Sequence, residues 1–467
     1  MEENLTCVTA GARLQEVPCQ MDAKEMVRWV EEVKADCKKE ICSRGYQSVL
    51  RCFDIEGRDV LIGAVGRQAG IRVLVSRTKL IGRIDINDET VLTMEPSPEA
   101  SFESIPFEAV FSLCNQLRDR LKEMISPEFY GVPVLGGLQS IILGDCLQEI
   151  ANYYLPEIEL FCTEGGAQLF TASHISQQLH LSPRAAHPPK LSCPMLGRTE
   201  YPDRDEYRKR MDHVLDELKR DDLQKIVIAR KCTVEVPDEF DRCDYAAYLF
   251  DHYFQEYFYL FRQGGDYWLG ISPEIIMKQS GNRAVTKPLA GTRKKEDDEA
   301  RNAAIREELT STNKDIVEHE YALNFMVQQI QSAGIGEAQI DQNKIILETP
   351  YAFHIKSEIS MQLKEDVSCF DVINAIYPPA TVWGIPVDRV ERVLAQTEPF
   401  SRGQFTGVYG YWDYRGNADT ALVIRTAQLG QHSVSAYAGG GIVKYSDIDS
   451  EFNETVNKMQ PLLSYFN

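Results

Sequence analysis

Hydrophobic positions in the second half of the chain change period repeatedly, and each change predicts a different element. Tyr207, Met211, Val214, Leu215 and Leu218 recur at helical spacing, so one apolar stripe faces a core. The run K-I-V-I-A-R-K-C-T-V-E-V from Lys225 is rich in β-branched residues and predicts a strand. F-Y-L-F-R-Q-G-G-D-Y-W-L-G-I-S predicts two aromatic-rich strands joined by a turn at Gly264 and Gly265. Ile316, Phe325, Met326 and Ile330 mark another amphipathic helix. T-G-V-Y-G-Y-W-D-Y, T-A-L-V-I-R-T-A-Q-L and H-S-V-S-A-Y-A-G-G-G-I predict three further strands, the last with a glycine turn at Gly439 to Gly441. The whole is a mixed α/β pattern with many antiparallel hairpins and no internal repeat.

Residues 1–197 alternate helical stretches with short apolar runs such as S-V-L-R-C-F-D-I, D-V-L-I-G-A-V-G and I-R-V-L-V-S, and contain no motif tied to chemistry. The Pro-rich segment L-S-P-R-A-A-H-P-P-K-L-S-C-P marks an exposed connection to residues 198–467, which carry the chemistry. A chain of 467 residues with 43% hydrophobic and 26% charged residues can bury one large core or two ordinary ones. Its formal charge of −20 argues against nucleic acid or an anionic membrane as the main partner. An anionic substrate therefore needs a metal or a local basic pocket. The N-terminus lacks the basic start and apolar core of a signal peptide, and no apolar run approaches the ~20 residues of a membrane span, so a cytoplasmic location is expected. Twelve Cys without a C-x-x-C indicate neither a zinc cluster nor a disulfide scaffold.

The sharpest chemical signal is E-F-N-E-T-V-N-K. Glu451, Glu454 and Lys458 stand at i, i+3 and i+7, on one side of a helix. Asp315 and Glu318 repeat the i, i+3 acidic spacing in S-T-N-K-D-I-V-E-H-E. Taken alone, such a pair is an ordinary solvated helix face. Two such helices facing one another would instead offer hard oxygen ligands suited to Mg²⁺, which leaves positions open for an anionic substrate.

K-I-V-I-A-R, I-S-P-E, K-P-L-A-G-T-R, N-K-D-I-V-E-H-E and A-G-G-G-I-V with S-E-F-N-E-T-V-N-K follow in this order. Together they closely resemble the chorismate-utilising enzymes, which include anthranilate, aminodeoxychorismate, isochorismate and salicylate synthases. The resemblance runs from about Tyr201 to the C-terminus. It implies two large, mostly antiparallel sheets packed together with surrounding helices, enclosing a Mg²⁺-dependent site, with residues 1–197 as a variable portion packed on the same fold.

The resemblance also implies roles. Lys225 matches the base of members that add water, where ammonia-adding members have Gln; to act, its amine has to be neutral, which burial or a nearby cation favours. Glu274 matches the general acid, which has to hold a proton near neutral pH. Ala290 stands where aminodeoxychorismate synthases carry a nucleophilic Lys. Gly291, Thr292, Gly439 and Gly441 match donors to the substrate carboxylates, the glycine triplet as an anion nest. Arg425 and Lys458 match the cations for those carboxylates, and His354 a histidine beside the substrate. Glu318, Glu451 and Glu454 match the metal ligands, with Asp315 behind them.

Thr381 and the segments around it resemble the salicylate synthases, whereas Phe405 resembles the isochorismate synthases and Trp383 replaces a usually small residue, which predicts a reshaped pocket. The expectation is a Mg²⁺-dependent salicylate synthase acting on chorismate through bound isochorismate, with no obligatory glutaminase subunit. An isochorismate synthase without the pyruvate-releasing step is the alternative, and an aminating synthase comes third.

Overall fold

The computed structural model describes residues 190–467 apart from a few loop positions, and of residues 1–189 eight strands and a handful of positions between 111 and 127. Most of the Pro-rich connection, the turn at Gly264 and Gly265, and the chain's first residues lie outside the described residues. Eight strands and two helices frame the site. They are β1 (Lys225–Glu235), β2 (Asp266–Ser272), β3 (Ile275–Ser280), β4 (Leu289–Lys294), α1 (Asn313–Ala333), β5 (Ala352–Leu363), β6 (Asn417–Leu422), β7 (Thr426–Leu429), β8 (Ser433–Val443) and α2 (Ile448–Leu463), of which β5 and β7 complete the sheets beside them.

The described strands form two sheets, one of twelve strands with β2, β7, β8 and β1 as successive neighbours, the other of ten in which β4 pairs with β5 and β3 with β6, the strand Arg283–Thr286 lying between β5 and β3. Apart from the parallel pairing of Cys7–Thr9 with Gly166–Thr171, the pairings are antiparallel. The N-terminal portion contributes strands to both sheets: Asp59–Val65 pairs with Tyr257–Gln263 in the first, and Val134–Leu138 with Val408–Trp412 in the second. Of the apolar runs in that portion, D-V-L-I-G-A-V-G and I-R-V-L-V-S contain the strands Asp59–Val65 and Ile71–Ser76, while S-V-L-R-C-F-D-I lies outside the described residues.

Strand periodicity sorts the core into layers. On β1, Ile226 and Ile228 turn outward onto a cluster with Tyr207, Met211 and Val214 of the helix Arg204–Leu218 and with Val390 and Leu394 of Val387–Thr397. Ala229 turns inward, where Tyr257, Trp268 and Tyr437 of the first sheet meet Ile275, Tyr409 and Ala421 of the second. Leu323, Met326 and Ile330 of α1 cover the outer face of the second sheet with Ile276 and Ile359. Each sheet is thus covered on its outer face by helices, as the amphipathic stripes predict.

Two expectations need correction. T-A-L-V-I-R-T-A-Q-L is not one strand: β6 belongs to the ten-stranded sheet and β7 to the twelve-stranded one. Its apolar alternation continues through a crossing from sheet to sheet, with Arg425 at φ 49° in the break. The glycine triplet is not a turn either, because Gly439, Gly440 and Gly441 lie within β8 and pair with Ala229, Ile228 and Val227. Its N–H groups point alternately to either side of an extended strand, so they do not form a nest.

Candidate active site

The site opens where the chain passes between the sheets. β2 ends at Ser272 and β3 begins at Ile275 in the other sheet, which leaves Pro273 and Glu274 in the passage. The return passage through Val423, Ile424 and Arg425 lies alongside: Leu422 N–H donates to Glu274 O at 3.1 Å, and Ile271 N–H to Arg425 O at 3.0 Å. An acid and a guanidinium therefore stand together at the seam of two rigid sheets. Glu274 is 3% exposed. Burial pushes its carboxyl up to about 7, against the opposing hydrogen bonds of Thr381 and the Leu289 backbone. Thr381 Oγ1 donates to Glu274 Oε1 at 2.8 Å.

The pocket beside Glu274 is lined by Gly291, Thr292, Glu318, His354, Thr381, Phe405, Arg425, Gly439, Gly441 and Lys458 among others. Ten of the expected site residues, and one expected metal ligand, thus converge from positions far apart in the chain. Gly439 and Gly441 share a face of β8 with Tyr437, so their bare backbone clears space for a ligand. A Cβ on Gly441 would lie 2.1 Å from Glu318 Oε1. Thr292 Oγ1 and His354 Nδ1 are 3.0 Å apart, while His354 Nε2 is buried without a hydrogen-bond partner. Burial holds the imidazole pKa well below its usual value, so it is neutral. Arg425 donates to Tyr351 Oη at 3.2 Å, and Phe405 stacks on Tyr437 with centroids 5.6 Å apart.

Lys225 is fully buried behind this pocket, with Nζ 3.1 Å from Glu318 Oε1. The sequence led us to expect an amine beside a cation; the structure supplies an ion pair. Lys225 is still close enough for its charge to act on Glu274.

A cleft of about 580 Å³ adjoins the pocket, and Thr292 and Arg425 line both. Here α1 and α2 bring their carboxylates together, as the two i, i+3 spacings predict, and a cation stands among them. Lys314 Nζ lies 2.9 Å from Glu451 Oε1, 3.4 Å from Glu454 Oε2 and 3.8 Å from Glu318 Oε2. Burial and the neighbouring Glu454 push Glu451 up to about 7. Burial also acts on Glu454, but Lys458 and Lys314 outweigh it and hold that carboxyl well below its ordinary range. Lys458 Nζ bridges Glu454 Oε1 and Gly439 O, both at 2.8 Å. Asp315 is drawn away from the others into a two-pronged pair with Arg293, whose Nη1 donates to Oδ1 at 3.2 Å and Nη2 to Oδ2. Among the described residues no three Asp, Glu, His or Cys side chains converge closely enough to hold a metal as they stand.

The sequence profile of the family described as chorismate binding enzyme matches residues 148–464. The chain belongs to this family. Anthranilate synthase component 1 of Pseudomonas putida is 30% identical over 248 residues, 51% of this chain and 50% of that protein. The chain thus spans about half the length of such relatives. The vibriobactin-specific isochorismate synthase of Vibrio cholerae is 29% identical over 287 residues, 61% of this chain and 72% of that protein. Menaquinone-specific isochorismate synthase MenF of Escherichia coli shares the fold at a TM-score of 0.70 and 20% identity, covering 89% of this chain and 91% of that one.

Trp383, expected to reshape the pocket, does not line it. Its ring is buried on the outer face of β1 with Ile226, Ile228 and Val390, while its carbonyl accepts from Val227 N–H at 2.7 Å. Neighbouring Thr381 and Val382 line the pocket. Three residues escaped notice. Lys314 stands four residues before Glu318, a spacing that brings opposite charges together on a helix. Arg293 closes the K-P-L-A-G-T-R motif. Tyr351 had no signal, since its contact with Arg425 exists only in the fold.

Proposed function

We propose that this protein adds water to chorismate at C2 with departure of the C4 hydroxyl, giving isochorismate. The observation that carries this reading is Glu274, a buried acid poised near 7 that lines the pocket within reach of the charge of Lys225. Arg425 and Lys458 would take the two substrate carboxylates, and neutral His354 with Thr292 would hydrogen-bond to the ligand. Glu274 gives its proton to the leaving hydroxyl, which departs as water while the ring double bonds shift. The entering water bonds to C2 and yields its proton to Lys225. Lys225 can take it only as the free amine, so its ion pair with Glu318 is a resting form that has to part. Lys225, where ammonia-adding members have Gln, and Ala290, where aminodeoxychorismate synthases have Lys, favour water as nucleophile. Water needs no glutaminase. The isochorismate synthases among the relatives support the same reading.

The donor set suits a hard divalent cation: three carboxylates, of which Glu318 Oε2 and Glu451 Oε2 are buried without a hydrogen bond. Glu318, Glu451 and Glu454 would hold Mg²⁺, whose charge would help bind a substrate carboxylate, while Asp315 stays with Arg293. The test is incubation of purified protein with chorismate and Mg²⁺ followed by chromatography. Isochorismate supports the proposal; unconverted chorismate, or an aminated product when ammonia is supplied, overturns it. Thr381, hydrogen-bonded to Glu274, favours a second reading in which bound isochorismate loses pyruvate by hydrogen transfer from C2 to the enolpyruvyl methylene. Salicylate and pyruvate in equal amounts would then appear.

A further inference from the structure

We infer that Lys314 is a built-in counter-cation of the carboxylate cluster, holding the place a divalent ion would take, and that metal binds by displacing it. This rests on the metal reading just given. Glu318 and Glu451 are 6% and 1% exposed, and the Glu454 side chain is 13% exposed, so water screens their mutual repulsion poorly. A positive group between them relieves that repulsion whenever no metal does. The Lys314 ammonium touches all three at 2.9–3.8 Å. Lys458 serves less well, because its ammonium is fixed between Glu454 and the Gly439 carbonyl and faces the substrate pocket. Lys314 instead lines the adjoining cleft, which gives its flexible stem room to withdraw. An ammonium and a divalent ion cannot share this centre, since they repel each other and compete for the same oxygens.

The proposal predicts opposite effects on the two forms of the protein. Without metal, loss of the ammonium leaves three buried carboxylates facing one another. With metal, the competitor is gone. Isothermal titration of Mg²⁺ into Lys314→Met should show binding at least about tenfold tighter than wild type, the scale set by one unit charge at about 4 Å. In EDTA the variant should melt below wild type, and Mg²⁺ should raise its melting temperature by more. Lys314→Arg, which keeps the charge, should melt in EDTA like wild type. Lys314→Gln provides the same comparison if methionine is not tolerated. Equal or weaker Mg²⁺ binding by both neutral variants, with wild type binding normally, overturns the displacement and leaves the metal reading intact. If wild type and both neutral variants all fail to bind Mg²⁺, the metal reading falls and this inference with it.

Discussion

Replacing Glu274 by Gln should impair the enzyme and stabilise it in the same stroke. Glu274 is buried, and its carboxyl rises from an ordinary 4.5 to about 7 because burial penalises the charged form. The folded protein therefore binds more protons at this position than the unfolded chain between those two values. Stability contributed here is present below about 4.5 and is lost as pH rises through about 7. At ~1.36 kcal/mol for each pH unit, the rise corresponds to about 3 kcal/mol above pH 8. Gln has no charge to bury, so the variant should melt above wild type at pH 8 and close to it at pH 5. The gain falls short of the full figure to the extent that the new amide N–H groups lack acceptors. Turnover moves the other way. A general acid contributes on the order of 10² to 10⁴ in rate, and Gln cannot give a proton. Wild-type turnover should also fall as pH rises past about 7, where Glu274 loses its proton. Thermal melts at both pH values and chromatographic rates across pH 5–9 measure both effects. A variant that retains turnover within about tenfold of wild type, or whose stability difference from wild type is the same at pH 5 and pH 8, would refute this account of Glu274.

Lys225→Gln should lose water addition by a factor on the order of 10² or more while circular dichroism shows a folded protein; unchanged conversion of chorismate would reassign the base. Thr381→Ala removes a hydrogen bond that lowers the Glu274 carboxyl, so the alkaline limb of the pH profile should move upward and, if pyruvate is released, isochorismate should accumulate. An unmoved limb would mean that the contact is not made in solution. Arg402→Leu should cost about 3–5 kcal/mol by denaturant unfolding, because Glu398 would be left buried without its charged partner. Gly441→Ala should disturb Glu318, into whose Oε1 the new methyl would project, and so weaken Mg²⁺ binding measured by calorimetry.

Elements with strong local periodicity are legible in the sequence alone. β1, the helix Arg204–Leu218, α1 and the hairpin of Tyr257–Gln263 with β2 follow from runs of β-branched and aromatic residues or from 3.6-residue apolar repeats. The residues of the pocket were legible as motifs, since each keeps its chemistry on a short local segment. Where an apolar run is continuous, the sequence records that it is buried and not in which sheet, and so the break at Arg425 and the strand through Gly439 to Gly441 were misread.

Charge spacing on α1 and α2 determined that carboxylates lie on one face of each helix, because helical geometry is local. That the two faces meet, that an ammonium stands among them, and that Lys225 pairs with Glu318 were decided by tertiary packing. So was the destination of each acid: Asp315 and Glu318 are three residues apart on one helix, yet one is bound to Arg293 and the other reaches the pocket. Glu274 makes the same point. Its identity as an acid is written in the chain, but its readiness to donate near pH 7 comes from burial at the seam of two sheets, and burial is a property of the assembled fold.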